Sequence, residues 1–331
     1  MIAIFGRSTD DLVREVCRRL AAYDKSMITL VDQDAPSIVF YGEDFWNSQI
    51  DRNGSRLSDV GFVWNRTKLA PMARPTDPFP TLRPNEYRVR MNEWRAIVTA
   101  IAVEFGHSTF NPEHIRLCAE QKLVQQSMAK RSGFKTLPSI VATSKACAMT
   151  FAREHGRLVA KALGAPVVAS RATEGQTGGT DFSMLSTTSI DLGMLESAPD
   201  SQFELIPVWL QKRIRDGEEL RVIAFGGHVF AYQAPYSFSE RKMTDIRFAD
   251  FRYAPISCSD FDASPILTYL QVSGLDYGVF DLCLTSEGDL TFLECNPEGM
   301  WHSINGTGTE EKILDRFTDH LLATARLRAR T

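Results

Sequence analysis

The stretch FLECNPEGMW, residues 292–301, sets Glu294 and Asn296 two positions apart in an apolar run that ends in Pro-Glu-Gly. Upstream, YGVFDLCLTSEGDL, residues 277–290, is a second apolar run broken by one acid, Asp281. Both runs alternate with period two and flank the turn signal Ser286-Glu287-Gly288-Asp289, which predicts a β-hairpin. With Glu287 and Gly288 at the tip, Asp281 lies directly across from Glu294, and Asn296 across from Val279; a four-residue loop gives the same pairs. Successive side chains of a strand leave on opposite sides, so Asp281, Glu294 and Asn296 are expected on one face.

Directly opposed residues have Cβ atoms roughly 4.5 to 5.5 Å apart, and like charges there are unfavourable. At an effective dielectric of about 20, two anions about 5 Å apart repel by roughly 3 kcal/mol, more than the roughly 0.2 to 1 kcal/mol of a cross-strand pair. A cation is therefore expected between them. Two carboxylates and an amide offer only oxygen, which favours Mg2+ or Mn2+ over zinc. Magnesium keeps waters and shares its other positions with phosphates, so the hairpin points to a nucleoside triphosphate site. A solvated face with unrelated acids is the bland alternative; Val279, Cys283 and Phe292 at the remaining positions argue against it.

The 331 residues are 44% hydrophobic, 24% charged and 10% aromatic, enough for a globular chain with two or three core-bearing units. A formal net charge of -4 gives no electrostatic case for a nucleic-acid or anionic-membrane partner. No apolar run approaches the roughly 20 residues of a membrane span, and MIAIFGRSTDDL has no charged leader, so a cytoplasmic protein is expected. The six cysteines (Cys17, Cys118, Cys147, Cys258, Cys283, Cys295) show no Cys-x-x-Cys spacing, and the six histidines no His-x-x-His or His-Glu-x-x-His. Reduced, mostly buried thiols and no zinc are expected.

Along the chain, strands at 1–5, 28–32 and 61–67 alternate with a helix over 9–22, which predicts an open α/β sheet. After the proline-rich LAPMARPTDPFPTLRP, the spacing of Tyr87, Met91, Trp94, Ile97, Ile101 and Phe105 predicts an amphipathic helix. A second region starts at Asn111-Pro112 with a helix through 130, then a strand, and a helix over 145–155. RLVAKALGAPVV follows, with Lys161 centred in an apolar strand that turns at Gly164-Ala165-Pro166, and then the glycine-bearing loop RATEGQTGGT. A third region contains LIPVWLQKRI, the hairpin ELRVIAFGGHVFAYQA turning at Gly226-Gly227, a helix over 263–273, the acidic hairpin and a terminal helix from 310. The units are taken as 1–111, 112–206 and 207–331.

Several residues are out of place for a plain core. Lys161 is the only charge in LVAKALGAPVV, and a buried lysine needs an anion. Lys122 in CAEQKLVQQ is, taken alone, as well explained as a solvated helix residue. The loop GQTGGT reads either as a linker or as a cover over phosphates, and it lacks the Gly-x-x-x-x-Gly-Lys-Ser/Thr of a P-loop. Arg221 in GEELRVIAF is either an edge charge or a clamp for phosphate or carboxylate. Asp245 and Arg247 in MTDIRFADFRY would share a side if extended, a weak pattern alone.

The order of these pieces, ending in Asp281 and Glu294-Cys295-Asn296 before a last helix, resembles the ATP-grasp superfamily from Pro112 to the terminal helix. Within it, VWNRT at 63–67, FNPEHIRLCAEQKLVQQSMAKRSGFKTLPSIVAT at 110–143, Asp245-Ile246-Arg247 and NPEGMWHSINGTG at 296–308 are similar to the graspetide, or microviridin-type, maturases. Those enzymes close ester or amide rings in ribosomal peptides. Thr67 and Met300 depart from the pattern, where arginine and glutamine are expected.

The resemblance implies an α/β (α+β) chain of ATP-grasp fold: an N-terminal open α/β domain and two lobes clasping ATP. It implies adenine against the strand ending in Gln211 and Lys212, phosphates on Lys122, Lys161 and Arg221, and two Mg2+ ions, Mn2+ being allowed, on Asp281, Glu294 and Asn296. It gives the substrate carboxylate to Arg221 and Arg247. Asp245 has two roles open, orienting Arg247 or accepting the nucleophile's proton. RATEGQTGGT is the implied lid that keeps an acyl phosphate dry. The implied activity is that of an ATP-dependent ligase acting on a precursor peptide with Asp or Glu and Ser, Thr or Lys core residues. The alternatives are a ligase for a free amino acid or small metabolite, similar to glutathione synthetase, and a nucleotide-binding regulator without catalysis. A homodimer is allowed; no nucleic-acid or membrane partner is expected.

Overall fold

Five consecutive buried residues form the first strand, β1 (Ile2–Gly6), of a computed structural model that describes residues 1–32, 38–39, 41–67, 84–164, 167–171, 180–184, 187–238, 253–299, 304 and 306–329. A strand without polar alternation needs cover on both faces. On one, Ile2 and Ile4 join Val13, Val16 and Leu20 of α1 (Asp11–Tyr23); on the other, Ala3 and Phe5 join Trp94, Val98 and Ile101 of α2 (Pro84–Phe105). Helix α1 starts where the Asp10 carboxylate accepts the Leu12 N–H at 3.0 Å. β1 lies parallel to β2 (Ile28–Asp32) and β3 (Phe62–Asn65), and β4 (Thr109–Phe110) completes the order β2-β1-β3-β4, the expected open α/β sheet.

The helix expected through 130 is two helices, α3 (Glu113–Ala119) and α4 (Lys122–Arg131). Gln121 is extended, so the helix restarts at Lys122, and the Ala119 carbonyl is taken by the Gln125 side chain at 2.7 Å. Beyond β5 (Lys135–Thr136), a second sheet has the order β10-β7-β11-β6, from β6 (Ser139–Ala142), β7 (Leu158–Lys161), β10 (Thr188–Ile190) and β11 (Val208–Lys212). Helices α5 (Lys145–His155), α6 (Leu192–Ser197) and α7 (Asp200–Leu205) cover it through Phe151, Leu195 and Phe203 against Leu158 and Leu210. Lys161 thus ends β7 instead of sitting at its centre. β7 pairs with β10 and β11, while β8 (Val167–Arg171) and β9 (Thr180–Met184) pair with each other. Most of the loop between them, 172–179, lies outside the described residues.

The third sheet has the order β14-β13-β12-β15-β16-β5, built from β12 (Glu218–Phe225), β13 (His228–Ser237), β14 (Ala254–Ile256), β15 (Tyr277–Leu284) and β16 (Leu290–Asn296). One face packs Leu220, Val222, Phe280, Leu282 and Phe292 on α8 (Ser264–Ser273) and also on Ala129 of α4. The opposite face packs Phe225, Ile223, Tyr277 and Val279 on α9 (Glu310–Arg328), in the same core as α1. The units drawn at 112–206 and 207–331 therefore exchange pieces: β11 sits in the second sheet, and α4 and β5 go with the third.

The acidic hairpin reaches its expected pairs by an unexpected route. The connection is one residue shifted, with Leu284 across from Leu290 and the Thr285 N–H on the Asp289 carbonyl at 3.0 Å. Continued regularly, that ladder would oppose Asp281 to Leu293 and send Glu294 to the face of Phe292. A bulge absorbs Leu293, and from there Asp281 pairs with Glu294 and Val279 with Asn296.

Asn111 has a φ of 52°, the left-handed region. Its Oδ1 accepts from Asp276 N (2.7 Å) and Tyr277 N (3.2 Å), and its Nδ2 donates to the carbonyls of Tyr277 (3.0 Å) and Pro297 (2.7 Å). One side chain thus ties the start of β15 to the end of β16. Among the described residues no helix is long and apolar enough to cross a membrane. All six cysteines are free thiols, but only Cys283 and Cys295 are buried, fewer than expected, because Cys118 and Cys147 fall on outward helix faces.

Candidate nucleotide and cation site

On β12 and β15 the α9-facing side changes character along the strands. Phe225 and Ile223 give way to Arg221 and Glu219, and Tyr277 and Val279 to Asp281, so this side passes from apolar to charged along the strands. Arg221 lies across from Asp281 and its Nη1 donates to Asp281 Oδ1 at 2.6 Å. Burial opposes the guanidinium's charge, and Asp281 leads the groups that outweigh it, so its pKa stands above the ordinary value. Glu219, two residues before Arg221, is buried and accepts from the Tyr253 hydroxyl at 3.0 Å. Its spacing of two residues from Arg221 is the signal in the sequence that puts it on the same side.

The second sheet contributes Lys161 of β7, its pair Trp209 on β11, and Gln211 two residues further along β11. Lys161 Nζ donates to Gln211 Oε1 at 2.8 Å and stands 5.6 Å from the centre of the Trp209 ring. Lys122, the first residue of α4, joins the two sheets: its Nζ is 3.8 Å from Glu294 Oε1 and 5.9 Å from the same indole. Two ammonium groups thus share one tryptophan beside an acid pair.

The repulsion across the hairpin is met in part by the chain's own cations, Arg221 at Asp281 and Lys122 near Glu294, so it does not by itself demand a metal. Among the described residues no group of three His, Cys, Asp or Glu could hold a metal ion. The candidate set is two carboxylates and the Asn296 amide, whose Oδ1 already accepts the Glu298 N–H at 3.0 Å and keeps a second lone pair. These oxygens fit a hard divalent cation that completes its shell with water and phosphate.

The fit to a nucleotide rests on unmet demand. Lys161 has only a neutral hydrogen-bond partner among the described residues, and burial pushes its pKa down to about 8, with Lys122 adding to the fall and Glu294 opposing it. Gln211 is fully buried, yet its Nε2, like the Trp209 Nε1, has no hydrogen-bond partner among the described residues. A buried donor without a partner costs about 1–3 kcal/mol, which an acceptor-rich base and phosphate would relieve. Gln126, one turn beyond Lys122 on the same helix face, also buries its amide without a partner and gave no signal in the sequence. Lys212, by contrast, is exposed and its N–H is held by the Pro138 carbonyl at 2.9 Å, so Gln211 is the half of that pair whose side chain meets Lys161. Asp245 and Arg247 lie outside the described residues.

If Lys161 holds phosphate, as the sequence leads one to expect, it does so in its charged form, and the bound phosphate would raise its pKa. Nucleotide affinity should therefore be flat below pH 8 and fall about tenfold per pH unit above it, with about half a proton taken up on binding at pH 8. Calorimetry in two buffers of different ionisation enthalpy measures that uptake; none at all would remove Lys161 from the phosphate site. Folding has the opposite sign. Without nucleotide, the lowered pKa penalises the folded state when Lys161 is charged, so stability from this residue rises as pH goes from about 8 to 10.5.

No protein-family model and no curated protein matches the chain. Solved structures do. A RiPP-associated ATP-grasp ligase of Chryseobacterium gregarium, in complex with ADP and a leader and core peptide, is 19% identical with a TM-score of 0.73, over 99% of this chain and 98% of that chain. Macrocyclase MdnC of Microcystis aeruginosa MRC, bound with precursor peptide MdnA, is 17% identical with a TM-score of 0.74, over 98% and 100%. The ATP-grasp ligase PsnB, complexed with minimal precursor, Mg and ADP, is 18% identical with a TM-score of 0.67, over 98% and 97%. The chain has the ATP-grasp fold. The likeness takes in the N-terminal α/β sheet together with the second and third sheets.

Proposed function

We propose that this chain is an ATP-dependent ligase that activates a side-chain carboxylate of a ribosomal precursor peptide as an acyl phosphate and closes an ester or amide bond. The observation that carries the reading is Lys122, whose ammonium stands beside Glu294 and near Trp209 at once and so makes one site of two sheets. A peptide substrate is supported by the leader, core and precursor peptides bound in the solved structures it resembles end to end.

In this reading Lys122 and Lys161 hold phosphates, Gln211 and Trp209 offer the base N–H groups that have no partner among the described residues, and Asp281, Glu294 and Asn296 hold magnesium, two ions being expected and manganese allowed. Bound Mg-ATP supplies the phosphoryl group that makes a carboxylate reactive toward a hydroxyl or amine. Arg221, whose guanidinium Asp281 orients, is assigned to the substrate carboxylate or a phosphate. Arg247 is assigned to the substrate carboxylate, and Asp245 to orienting Arg247 or to taking the nucleophile's proton.

Co-expression with a short peptide encoded beside the gene, followed by mass spectrometry, should show loss of one water per bond formed. Steady ADP release with free amino acids and no peptide would move the assignment to a small-metabolite ligase; tight nucleotide binding without turnover would make it a regulator. Arg247→Ala should leave nucleotide affinity unchanged and reduce product about 10- to 100-fold, the worth of a charge-assisted hydrogen bond of roughly 1.5–3 kcal/mol. An equal loss of nucleotide affinity would take Arg247 away from the peptide.

A further inference from the structure

The strand that carries Glu294 and Asn296 is held on one side by β15, but on the other by β5 only at Thr291 and Phe292. Past the Leu293 bulge that outer edge has no strand beside it among the described residues. There the Gln125 amide stands in: its Oε1 accepts the Cys295 N–H at 3.1 Å, and its Nε2 donates to the Cys295 carbonyl at 2.7 Å and to the Ala119 carbonyl at 2.7 Å. Gln125 and Cys295 are both buried, and every hydrogen-bonding group of that amide is engaged. Cys295 is the residue between Glu294 and Asn296, and Gln125 follows Lys122 by one turn of α4.

We propose that Gln125 is a positioning residue for the cation-binding strand: its amide replaces the missing neighbour at Cys295 and fixes the direction in which Glu294 and Asn296 leave the backbone. It does so from the helix that places Lys122, so the phosphate-binding amine and the cation-binding oxygens keep one mutual geometry. Backbone at a bulge is locally free of its ladder, and an edge held by nothing would let the two ligands swing. Groups that orient metal ligands without touching the metal are typically worth about 10- to 100-fold in metal affinity. The inference rests on the reading that Glu294 and Asn296 hold a divalent cation with the nucleotide.

The test separates aim from stability. ADP affinity is measured on the full chain by calorimetry, without divalent cation and across a magnesium titration, for the parent, Gln125→Met and Gln125→Glu. Gln125→Met removes all three hydrogen bonds at similar volume; Gln125→Glu keeps the acceptor for Cys295 N–H and removes the donor. Both should bind ADP without magnesium within about twofold of the parent and need at least about tenfold more magnesium for half of the cation-dependent gain. A fall in melting temperature with unchanged magnesium half-saturation would overturn the proposal, since the amide would then be only a structural filler. Failure of both variants to fold would overturn it for the same reason. If Gln125→Met alone fails to fold, Gln125→Glu decides. A parent that shows no magnesium gain would overturn the cation reading itself, an outcome distinct from a parent that gains and variants that gain equally.

Discussion

Glu294→Gln should lower ADP formation by about 10²- to 10³-fold while leaving the protein folded and no less stable. The amide keeps the volume of the side chain and its place across from Asp281, so nothing in the packing of β16 changes. What disappears is one of two negative charges available to a cation. Charge stabilisation by a bound metal is worth several kcal/mol, and a loss of about 3–4 kcal/mol corresponds to that range of rate. Stability should move the other way by roughly 0–1 kcal/mol, because the substitution also removes a like-charge pair across the hairpin, offset by the weakened contact with Lys122. Steady-state ADP release and thermal unfolding without magnesium measure the two effects. Turnover equal to the parent's would sink the cation assignment.

Asn111→Ala should have the largest effect on folding, a loss of about 3–5 kcal/mol. The side chain satisfies two N–H groups and two carbonyls, three of the four bonds buried, and each buried group left without a partner costs about 1–3 kcal/mol, reduced where water or a shifted backbone fills in. Alanine at a φ of 52° adds about 1 kcal/mol of backbone strain. Against a total of roughly 5–15 kcal/mol, that loss brings the domain close to unfolding at ordinary temperature. Asn111→Gly relieves the strain and keeps the hydrogen-bond loss, so denaturant unfolding should place it about 1 kcal/mol above Asn111→Ala. Both variants within about 1 kcal/mol of the parent would mean that water replaces the amide.

Periodicity and turn residues made the framework legible: β1, β2, α1, α2, α8, α9 and both hairpins fall where the pattern placed them. Facing of Asp281 and Glu294 was also legible, though by an argument that omitted the bulge. A one-residue shift in the connection and a surplus residue in the strand cancel, and neither has a mark of its own in Ser-Glu-Gly-Asp or in Phe-Leu-Glu. The break between α3 and α4 was hidden because Glu120-Gln121 carries no glycine or proline; Gln125 reaches back to the Ala119 carbonyl there while its amide is held by Cys295, a long-range contact invisible to local propensity. Glu219 and Tyr253, more than thirty positions apart, pair only because the third sheet and its following segment return to each other. Lys122 illustrates the limit best. Its neighbours describe an ordinary surface helix, and only the meeting of α4 with Glu294 and Trp209 gives it a task.

The surplus residue at Leu293 also decides where this segment tolerates changes in length. Loss of one amino acid between the turn and Glu294 can be taken up by straightening the kink, leaving Glu294 and Asn296 on their present side. Loss of Cys295 meets no such slack and carries Asn296 to the interior side, among aromatic rings. Insertions and deletions that an observer would judge equivalent by position should therefore divide sharply into silent and disabling, with the dividing line at a single carboxylate.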